Sequence, residues 1–394
     1  MASRPAFYNA AQLRERREQK RRVLRRVRRR RLLAMACGVL LAVILFSYVS
    51  AMLRPSSLPL GVRSVEWLRA NGGAWLVNDV ENLYYRWTAP SKGGPSLRKL
   101  PAVGIAAARK TQARPVRIRP LLRPALPGEG VWRSVGAPVG GSPPVLLTTF
   151  RPSATYPRVV AYVAWIDHSR TQLALYPGRY EPPSNLPRGP MRVPYGERWR
   201  LLATFNSGFT YRDGHGGFAV GGRTLTPLRL GQATLVEYAS GRVDVLSWHG
   251  GSTAGPGIVL ARQNLPLIVA HGRPTANLSS GREWGATLGN AVLVWRSAVG
   301  IDRRGNLIYV AAPFQTVRTL AEILVHAGAV RGMELDINAE WPSLITYRHA
   351  GGLTPTKVVP NVQQSASRYL RPDDRDFFAV YRRVPGGSLQ VPLH

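Results

Sequence analysis

The longest apolar stretch of the chain lies near its N-terminus. Leu32–Leu53 holds 22 residues without a charged side chain and is bounded by Arg31 and Arg54. A helix of this length, at about 1.5 Å per residue, spans the roughly 30 Å hydrocarbon core of a bilayer. Residues 1–31 carry 13 basic and two acidic side chains, and strongly basic flanks stay on the cytoplasmic side. The pattern therefore predicts a basic cytoplasmic tail at 1–31 and a single-pass transmembrane signal anchor at 32–53.

A cleaved signal peptide is the alternative interpretation of this stretch. The apolar run is longer than that of a typical signal peptide, and no small-residue cleavage site is obvious before Pro55. The only cysteine is Cys37, inside the apolar run, so the exported part has no disulfide. That usage, with the Arg, Ala, Gly and Pro bias, suits a bacterial envelope protein with a sizeable core. We expect a bacterial cell-membrane protein whose C-terminal domain is extracytoplasmic.

Two segments without strand-like patterning follow the apolar stretch. Residues 54–88 have a helical pattern that Asn71-Gly-Gly73 should break, which predicts a juxtamembrane helical segment. Its aromatic residues, such as Trp67 and Tyr84, would lie either at the membrane surface or against the main domain. Residues 89–128 contain no acidic side chain and are rich in Pro and Arg, which predicts an extended linker.

From about residue 129 the pattern changes to short β-type runs separated by turns. Thr316–Gly328 is the best predicted helix, with Thr316 as N-cap and Gly328 at its end. Dominant strands with a few helices indicate an α+β fold, and we assign residues 129–394 to one mixed, strand-rich domain. The clearest predicted strands are Val145–Phe150, Arg158–Asp167, Gln172–Tyr176, Leu201–Phe205, Gly217–Val220, Ala233–Tyr238, Val243–Ser247, Leu267–Ala270, Ala291–Ser297 and Leu307–Ala312.

The charge balance indicates the kind of partner. The chain has 54 basic and 21 acidic residues, a net charge of +33. A basic exported domain is attracted to anionic envelope polymers and phospholipid headgroups. The arginine run directly before the apolar stretch is explained by topology and anionic lipids. We therefore expect a membrane and an envelope glycan or sugar-phosphate polymer as partners, and no nucleic acid.

The most informative polar pattern is Gly332-Met-Glu-Leu-Asp-Ile-Asn-Ala-Glu340, which reads as a strand ending in a turn. Because strand side chains alternate between faces, Glu334 and Asp336 should project together, with Asn338 and Glu340 in the loop that follows. Carboxylates are rarely fully buried unless they are paired or bind something. The pattern predicts a functional site. As alternatives, Glu334 could simply pair with an arginine, and Asp336 could only cap the strand.

Paired carboxyl groups suit the cleavage of glycosidic bonds. That chemistry commonly uses one carboxyl as acid and a second as base or nucleophile, and Asp336 with Glu334 or Glu340 could supply the pair. The sequence has no His–Glu–His or cysteine spacing for zinc. A divalent ion could be held between Asp336 and Glu340, but nothing in the sequence requires a cofactor.

Three segments in order resemble the phosphodiester glycosidase family, which includes the lysosomal enzyme that removes N-acetylglucosamine from a phosphodiester. The first is Ala203-Thr-Phe-Asn-Ser-Gly-Phe209, followed by the glycine-bounded run 216–223. The second is Arg296-Ser-Ala-Val-Gly-Ile-Asp-Arg-Arg-Gly305. The third is the helical run 319–329 leading into Leu335-Asp336. The resemblance covers roughly residues 200–380, and it implies a phosphodiester-glycosidase-like fold and a hydrolase.

The placement of these motifs suggests roles for residues around Asp336. Arg296 could neutralise a phosphate, Asn206 could bind sugar hydroxyls, and Trp341 could stack on a sugar face. His215 lies in a glycine-rich loop that could reach the site, where Asp213 could orient it. The alternatives are a salt bridge for Arg296 and plain turns for Asn206 and His215.

One segment departs from the family pattern. Where the family has a glycine-rich loop after the aspartate, this chain has Ile337-Asn-Ala-Glu-Trp341. Glycines let backbone N–H groups close on a phosphate, whereas this loop offers Asn338, Glu340 and Trp341. We expect a membrane-anchored hydrolase of sugar-phosphodiester or related linkages in envelope glycans. The alternative is a non-catalytic basic domain that binds anionic envelope polymers, and transfer to a sugar acceptor would use the same site.

Overall fold

The computed structural model describes residues 10–73, 75–77, 79–80, 87, 89–94, 96–107, 115–136, 141–278, 284–285, 293–360 and 364–384. The chain divides into two compact units. The first consists of Met1–Pro55 and Leu60–Asn71, and the second of Ser56–Pro59 and Gly72–His394.

The first unit is helical. Helix α1 covers Ala10–Leu53 and helix α2 covers Leu60–Leu68. Helix α2 continues into a π-helical turn at Arg69–Gly73. The Tyr48 ring of α1 meets the Trp67 ring of α2 edge-on, with centroids 5.1 Å apart. Trp67 thus packs on α1, while Tyr84 lies outside the described residues. In the described part of the chain α1 is the helix long and apolar enough to cross a membrane, a criterion that a signal sequence also meets.

The second unit is built mainly from strands, as expected for an α+β fold. Its helices include the single turn α3, Tyr211–Gly214, and α4, Val317–His326. The strands are β1 Ala106–Ala107, β2 Arg133–Ser134, β3 Val145–Phe150, β4 Ala161–Ile166, β5 Thr171–Tyr176, β6 Leu201–Asn206, β7 Phe218–Val220, β8 Arg223–Thr226, β9 Ala233–Tyr238, β10 Val243–Ser247, β11 Ile258–Asn264, β12 Leu267–Ala270, β13 Arg273–Pro274, β14 Val294–Ile301, β15 Leu307–Gln315, β16 Arg331–Glu334, β17 Leu344–Arg348, β18 Thr354–Lys357 and β19 Phe377–Arg382.

These strands form three sheets. A nine-stranded sheet has the order β1-β2-β3-β4-β15-β14-β16-β12-β13. Two five-stranded sheets have the orders β10-β9-β11-β7-β8 and β18-β17-β6-β19-β5. Neighbouring strands pair antiparallel, for example β14 with β16, where Ala298 lies opposite Glu334. The three sheets together create the layers between which the core is buried.

The nine-stranded sheet is covered on both faces. Helix α4 buries Leu320, Ile323 and Leu324 against one face. Complete burial of such a side chain stabilises the fold by about 1.5–3 kcal/mol. The other face carries residues such as Val299, which share a core cluster with Phe205 of the β6 sheet. Strands β14 and β16 are therefore the middle layer, and β16 ends between these two packed surfaces.

The structure confirms the predicted helix and most of the strand pattern. Thr316 caps α4 by accepting a hydrogen bond from the N–H of Thr319. The ten predicted strands correspond to β3–β7, β9, β10, β12, β14 and β15, although Ala291 lies outside the described residues. Strands β11 and β17 lie outside the predicted set, because buried Arg, Gln, Asn or Thr side chains weaken their apolar pattern. Strand β19 also lies outside it, although its buried residues are Phe, Ala, Val and Tyr.

The expected linker at 89–128 does not stand apart from the second unit. Its residues Leu100, Val103 and Ile118 are buried, and β1 within it pairs with β2. Leu100 and Val103 belong to one core cluster and Ile118 to another. At the end of the segment, buried Glu129 accepts three hydrogen bonds from Arg151, which fixes this part of the chain to β3.

Candidate functional site

Asp336 lies where the nine-stranded sheet meets the end of β6. After β16 the chain continues along β14, because the Leu335 N–H donates to the carbonyl of Ser297 at 2.7 Å. The carbonyl of Asp336 in turn accepts from the Ser297 hydroxyl at 2.8 Å. The Asp336 N–H donates to the carbonyl of Ser207, just beyond β6, at 3.2 Å. Backbone bonds to two sheets thus fix the position of this aspartate.

Asn206 joins the same two sheets through its side-chain amide. Its oxygen accepts from the Tyr309 hydroxyl at 2.8 Å and from the Ser343 N–H at 2.9 Å. Its nitrogen donates to the Ser207 carbonyl at 2.9 Å and to the Ser297 hydroxyl at 3.0 Å. An amide has two donor hydrogens and two acceptor lone pairs. All four are used inside the protein, so the structure gives Asn206 a supporting position beneath Asp336.

The carboxylate of Asp336 has two well-defined partners. Its Oδ2 lies 2.5 Å from Nη2 of Arg375, and its Oδ1 accepts from the N–H of Asn338 at 3.0 Å. Burial raises the pKa of Asp336, and nearby Asp213 adds to this, whereas Arg375 and the Asn338 N–H lower it. The net direction is upward, so Asp336 holds a proton more readily than an exposed aspartate.

Arg375 is the partner that sequence reasoning missed. It also donates to the Gly208 carbonyl at 3.1 Å, and its guanidinium carbon lies 4.5 Å from the centre of the Trp341 ring. Its signal in the sequence is Asp373-Asp-Arg-Asp376, an acidic run that stands out in a chain of net charge +33.

Trp341 is buried between charged groups. Besides Arg375, the guanidinium carbon of Arg368 lies 5.0 Å from its ring centre. Arg368 is held by Asp373 through two hydrogen bonds of 2.7 and 3.0 Å. Cation–π contacts of this kind fix the position of a guanidinium group. Trp341, expected to stack on a sugar, thus lies in contact with both arginines.

Asn338 and Glu340 form the turn that follows Asp336. The Asn338 side-chain oxygen accepts from the N–H of Glu340 at 3.1 Å, and its carbonyl accepts from the N–H of Trp341 at 2.8 Å. Glu340 is half-buried, and burial raises its pKa while Arg368 lowers it. The turn therefore brings a second carboxyl group with a raised pKa to the same end of the sheet.

Glu181 is a third carboxyl group of this region, and no pattern in the sequence selects it. Its Oε2 accepts from the Tyr211 N–H at 3.0 Å. Burial raises the pKa of Glu181, and the positive charge of Arg375 lowers it. Arg375 therefore acts electrostatically on Asp336 and on Glu181. Titratable groups with perturbed pKa values cluster at functional sites more often than elsewhere.

Glu334 and Arg296 form a separate, sealed pair. Arg296 Nη1 lies 2.5 Å from Glu334 Oε1, and the guanidinium also donates to the carbonyls of Gln315 at 2.8 Å and Trp284 at 3.2 Å. Burial raises the pKa of Glu334 to about 7 even though Arg296 opposes the shift. The structure thus shows the salt bridge that the sequence offered as the alternative, and Arg296 has its partners inside the protein.

His215 is exposed at the end of α3. Its backbone is left-handed, with φ of 49°, and its ring meets Tyr211 edge-on with centroids 5.6 Å apart. The Asp213 carboxylate accepts a hydrogen bond from the Thr210 hydroxyl at 2.6 Å, a partner other than His215. Asp213 nevertheless raises the pKa of Asp336, so this helical turn contributes to the electrostatics of the site.

The residues that the structure describes contain no group of three or more His, Cys, Asp or Glu able to hold a metal ion. Asp336 and Glu340 would have to bind a divalent ion as a pair. What the geometry does provide is a carboxyl group fixed by two sheets, an arginine on it, and two further protonatable carboxyl groups nearby. Such a set can transfer protons and attract an anionic group.

Comparisons with known proteins give distant similarities. No protein-family model matches the chain, and no curated protein matches it. A zebrafish structure, the catalytic domain of N-acetylglucosamine-1-phosphodiester alpha-N-acetylglucosaminidase auto-inhibited by its pro-peptide, aligns with 14% identity and a TM-score of 0.42 over 64% of this chain and 87% of that one. A hypothetical protein from Synechocystis aligns with 15% identity and a TM-score of 0.37 over 64% of each chain.

Proposed function

We propose that this chain is a hydrolase of sugar-phosphodiester or related glycosidic linkages, with a phosphodiester-glycosidase-like domain at 129–394. The observation that carries the proposal is the Asp336–Arg375 pair at the meeting of two sheets. Glu340, the half-buried carboxyl group of the next turn, is the proposed second carboxyl. Glu334 is a poorer partner because it is completely buried against Arg296.

The two carboxyl groups would have different roles in bond cleavage. A carboxyl with a raised pKa can donate a proton to the leaving oxygen, and a second, ionised carboxyl can activate water or attack the sugar. A phosphate leaving group needs little protonation, so Arg375 would contribute by neutralising its charge. Arg375 would also hold the Asp336 carboxylate in one orientation, since the two groups already lie 2.5 Å apart.

The substrate and location are part of the same proposal. Outside the tail at 1–31 the chain has 41 basic and 19 acidic residues, a net charge of +22, which supports an anionic glycan of the cell envelope as substrate. Helix α1 could be a membrane anchor or a signal sequence. We propose the anchor, with the N-terminus in the cytoplasm of a bacterium and the domain outside it, because positive charge is concentrated before the apolar stretch.

The second candidate is a non-catalytic domain that binds anionic envelope polymers. It is favoured by the commitment of Asn206 and Arg296 to internal hydrogen bonds, which removes two of the expected substrate contacts. The net positive charge of the domain would then only attract the anionic polymers. Transfer of a sugar to an acceptor other than water remains a third outcome that the same carboxyl groups would support.

A hydrolysis assay separates these candidates. The full chain, its Asp336→Asn variant and a control Arg303→Gln variant would be incubated with simple sugar phosphodiesters and with purified envelope glycans. Arg303 is exposed in the turn between β14 and β15. Release of reducing sugar by the parent and the control, but not by Asp336→Asn, is the expected result. Salt-sensitive polymer binding by all three proteins without any release would favour the binding domain.

A further inference from the structure

An apolar groove of about 430 Å³ lies beside the nine-stranded sheet, outside the carboxylate site. This volume lies within the range of roughly 300–1,000 Å³ that is usual for small-molecule sites. Its walls include Leu100, Val160 and Trp295, together with three prolines. Val160 immediately precedes β4 and Trp295 is the second residue of β14, so the groove opens at one end of the sheet.

Two basic side chains line this groove. Lys99 and Arg158 are exposed and line it, and none of the described residues that line it is acidic. An apolar groove with basic side chains beside it is complementary to a molecule that has a hydrocarbon part and an anionic group. A purely polar anion would leave the apolar walls unfilled, and a neutral hydrocarbon would make no use of the charges.

A tyrosine hydroxyl at the groove adds a second observation. Tyr162 is 5% exposed, lines the groove, and makes no hydrogen bond to any residue in the described part of the chain. Burial raises the pKa of this hydroxyl to about 12, so it remains a donor at neutral pH. A ligand oxygen in the groove could accept a hydrogen bond from this hydroxyl.

We propose that the groove binds the chain of a single-chain anionic amphiphile, of the fatty-acid class, with the acid group at Lys99 and Arg158. The Tyr162 hydroxyl donates to an oxygen of the bound molecule. The groove and Asp336 share one end of the sheet, since Trp295 is two residues before Ser297, which binds the Asp336 carbonyl. This binding does not depend on the hydrolase activity proposed above for the protein.

The test uses the full chain in phosphatidylcholine nanodiscs with a photoreactive palmitate analogue as probe. Cross-linked peptides are identified by mass spectrometry, and unlabelled palmitate, its neutral monoglyceride and inorganic phosphate serve as competitors. We expect cross-links on the peptides that hold Tyr162 and Trp295, and we expect palmitate to compete more than fivefold better than the monoglyceride. Labelling confined to α1, equal competition by the monoglyceride, or full competition by inorganic phosphate would each overturn the proposal.

Variants locate the binding to this groove. Pro101 lines the groove and is exposed, so Pro101→Trp should fold normally and block the groove, which reduces its labelling at least fivefold. Lys99→Gln with Arg158→Gln should weaken the competition by palmitate about two- to fivefold and leave that by the monoglyceride unchanged. The matched control Arg303→Gln, at the other end of the sheet, should behave like the parent. Unchanged labelling of Pro101→Trp would contradict the proposal.

Tyr162→Phe tests the hydroxyl separately from the shape of the groove. Because the hydroxyl has no partner among the described residues, its removal should leave the thermal unfolding temperature unchanged or slightly higher. The same change should weaken palmitate competition about three- to tenfold, the usual effect of one hydrogen bond. Equal competition in Tyr162→Phe and the parent would remove the hydroxyl from the binding site.

Discussion

Two arginine–carboxylate pairs lie close together in this protein, and they differ in exposure. The Arg296–Glu334 and Arg375–Asp336 pairs both have an N–O distance of 2.5 Å. The side chains of the first pair are 3% and 0% exposed, whereas those of the second are 13% and 8% exposed. The two carboxyl groups are separated by one residue in the sequence, but only the second is partly exposed.

The backbone explains this difference. Glu334 is the last residue of β16 and lies opposite Ala298, on the face that α4 covers. Asp336 follows after the strand has ended, where the chain turns towards Ser207 and the β6 sheet. A carboxylate inside a covered sheet needs a permanent counter-ion, whereas one at a strand end can also meet a ligand. Glu334 is therefore part of a structural salt bridge, and our proposal assigns the functional role to Asp336.

The largest effect should come from Asp336→Asn. If this carboxyl transfers the proton, sugar release by the folded protein should fall about 10²–10⁴-fold. The amide keeps the shape of the side chain, so the urea unfolding midpoint should change little. The matched variant is Glu334→Gln, which should leave the rate per folded molecule near that of the parent. Loss of turnover in folded Glu334→Gln would reverse the assignment of the two pairs.

Arg296→Met should have the largest effect on stability. It leaves Glu334 buried without its counter-ion, which should lower the free energy of unfolding by about 3–5 kcal/mol. Arg375→Met should lower it less than this, because the side chains of that pair are 13% and 8% exposed and those of the Arg296 pair only 3% and 0%. Urea unfolding followed by tryptophan fluorescence measures both. The double variant Arg296→Met with Glu334→Met should regain most of the lost free energy of unfolding. Equal effects of Arg296→Met and Arg375→Met would contradict the difference between the two pairs.

Trp341→Leu should have a smaller effect that appears mainly in the pH dependence. It removes the ring that contacts Arg375 and Arg368, and each contact contributes about 0.5–2 kcal/mol. Arg375 lowers the pKa of Asp336, so a less well held Arg375 should let that pKa rise. We expect a rate loss of about tenfold and a pH–rate profile displaced to higher pH. Trp199→Leu, at an exposed tryptophan, is the control and should change neither the rate nor the pH–rate profile.

Glu237→Gln tests what a buried carboxyl does without an arginine in contact. Glu237 is 2% exposed, and burial raises its pKa from 4.5 to about 8. Its contribution to stability is complete below about pH 4.5 and is lost as the pH rises through about 8. The free energy of unfolding should therefore fall from pH 5 to pH 9 more steeply in the parent than in Glu237→Gln. Parallel pH curves would mean that Glu237 does not titrate in this range.

Local patterns in the sequence predict much of this fold. Thr316 before an amphipathic run predicts the capped start of α4, and alternating apolar residues predict strands such as β9. Asp336 follows the end of a strand, as the pattern indicates. These features depend on neighbours within a few residues, and such neighbours are visible in the sequence.

The partners of the site residues are long-range and could not be predicted. Arg375 lies 39 residues from Asp336 along the chain, and many other arginines are available to a carboxylate in so basic a sequence. Asn206 resembles a turn residue or a ligand-binding amide, and its four internal bonds depend on how the two sheets pack. Sequence patterns could therefore place Asp336 at a strand end, but they could not select the groups that surround it.

The four hydrogen bonds of the Asn206 side chain have a further consequence for how the protein opens. Three of them connect β6 to β14, β15 and the segment before β17, so none of these can separate from β6 without breaking one of the amide's bonds. The N–H groups of Leu335 and Ser343 should therefore exchange with deuterium as slowly as those of the central strands, through global unfolding. The proposed site is held in place in this way, so little conformational entropy should be lost if a substrate binds there.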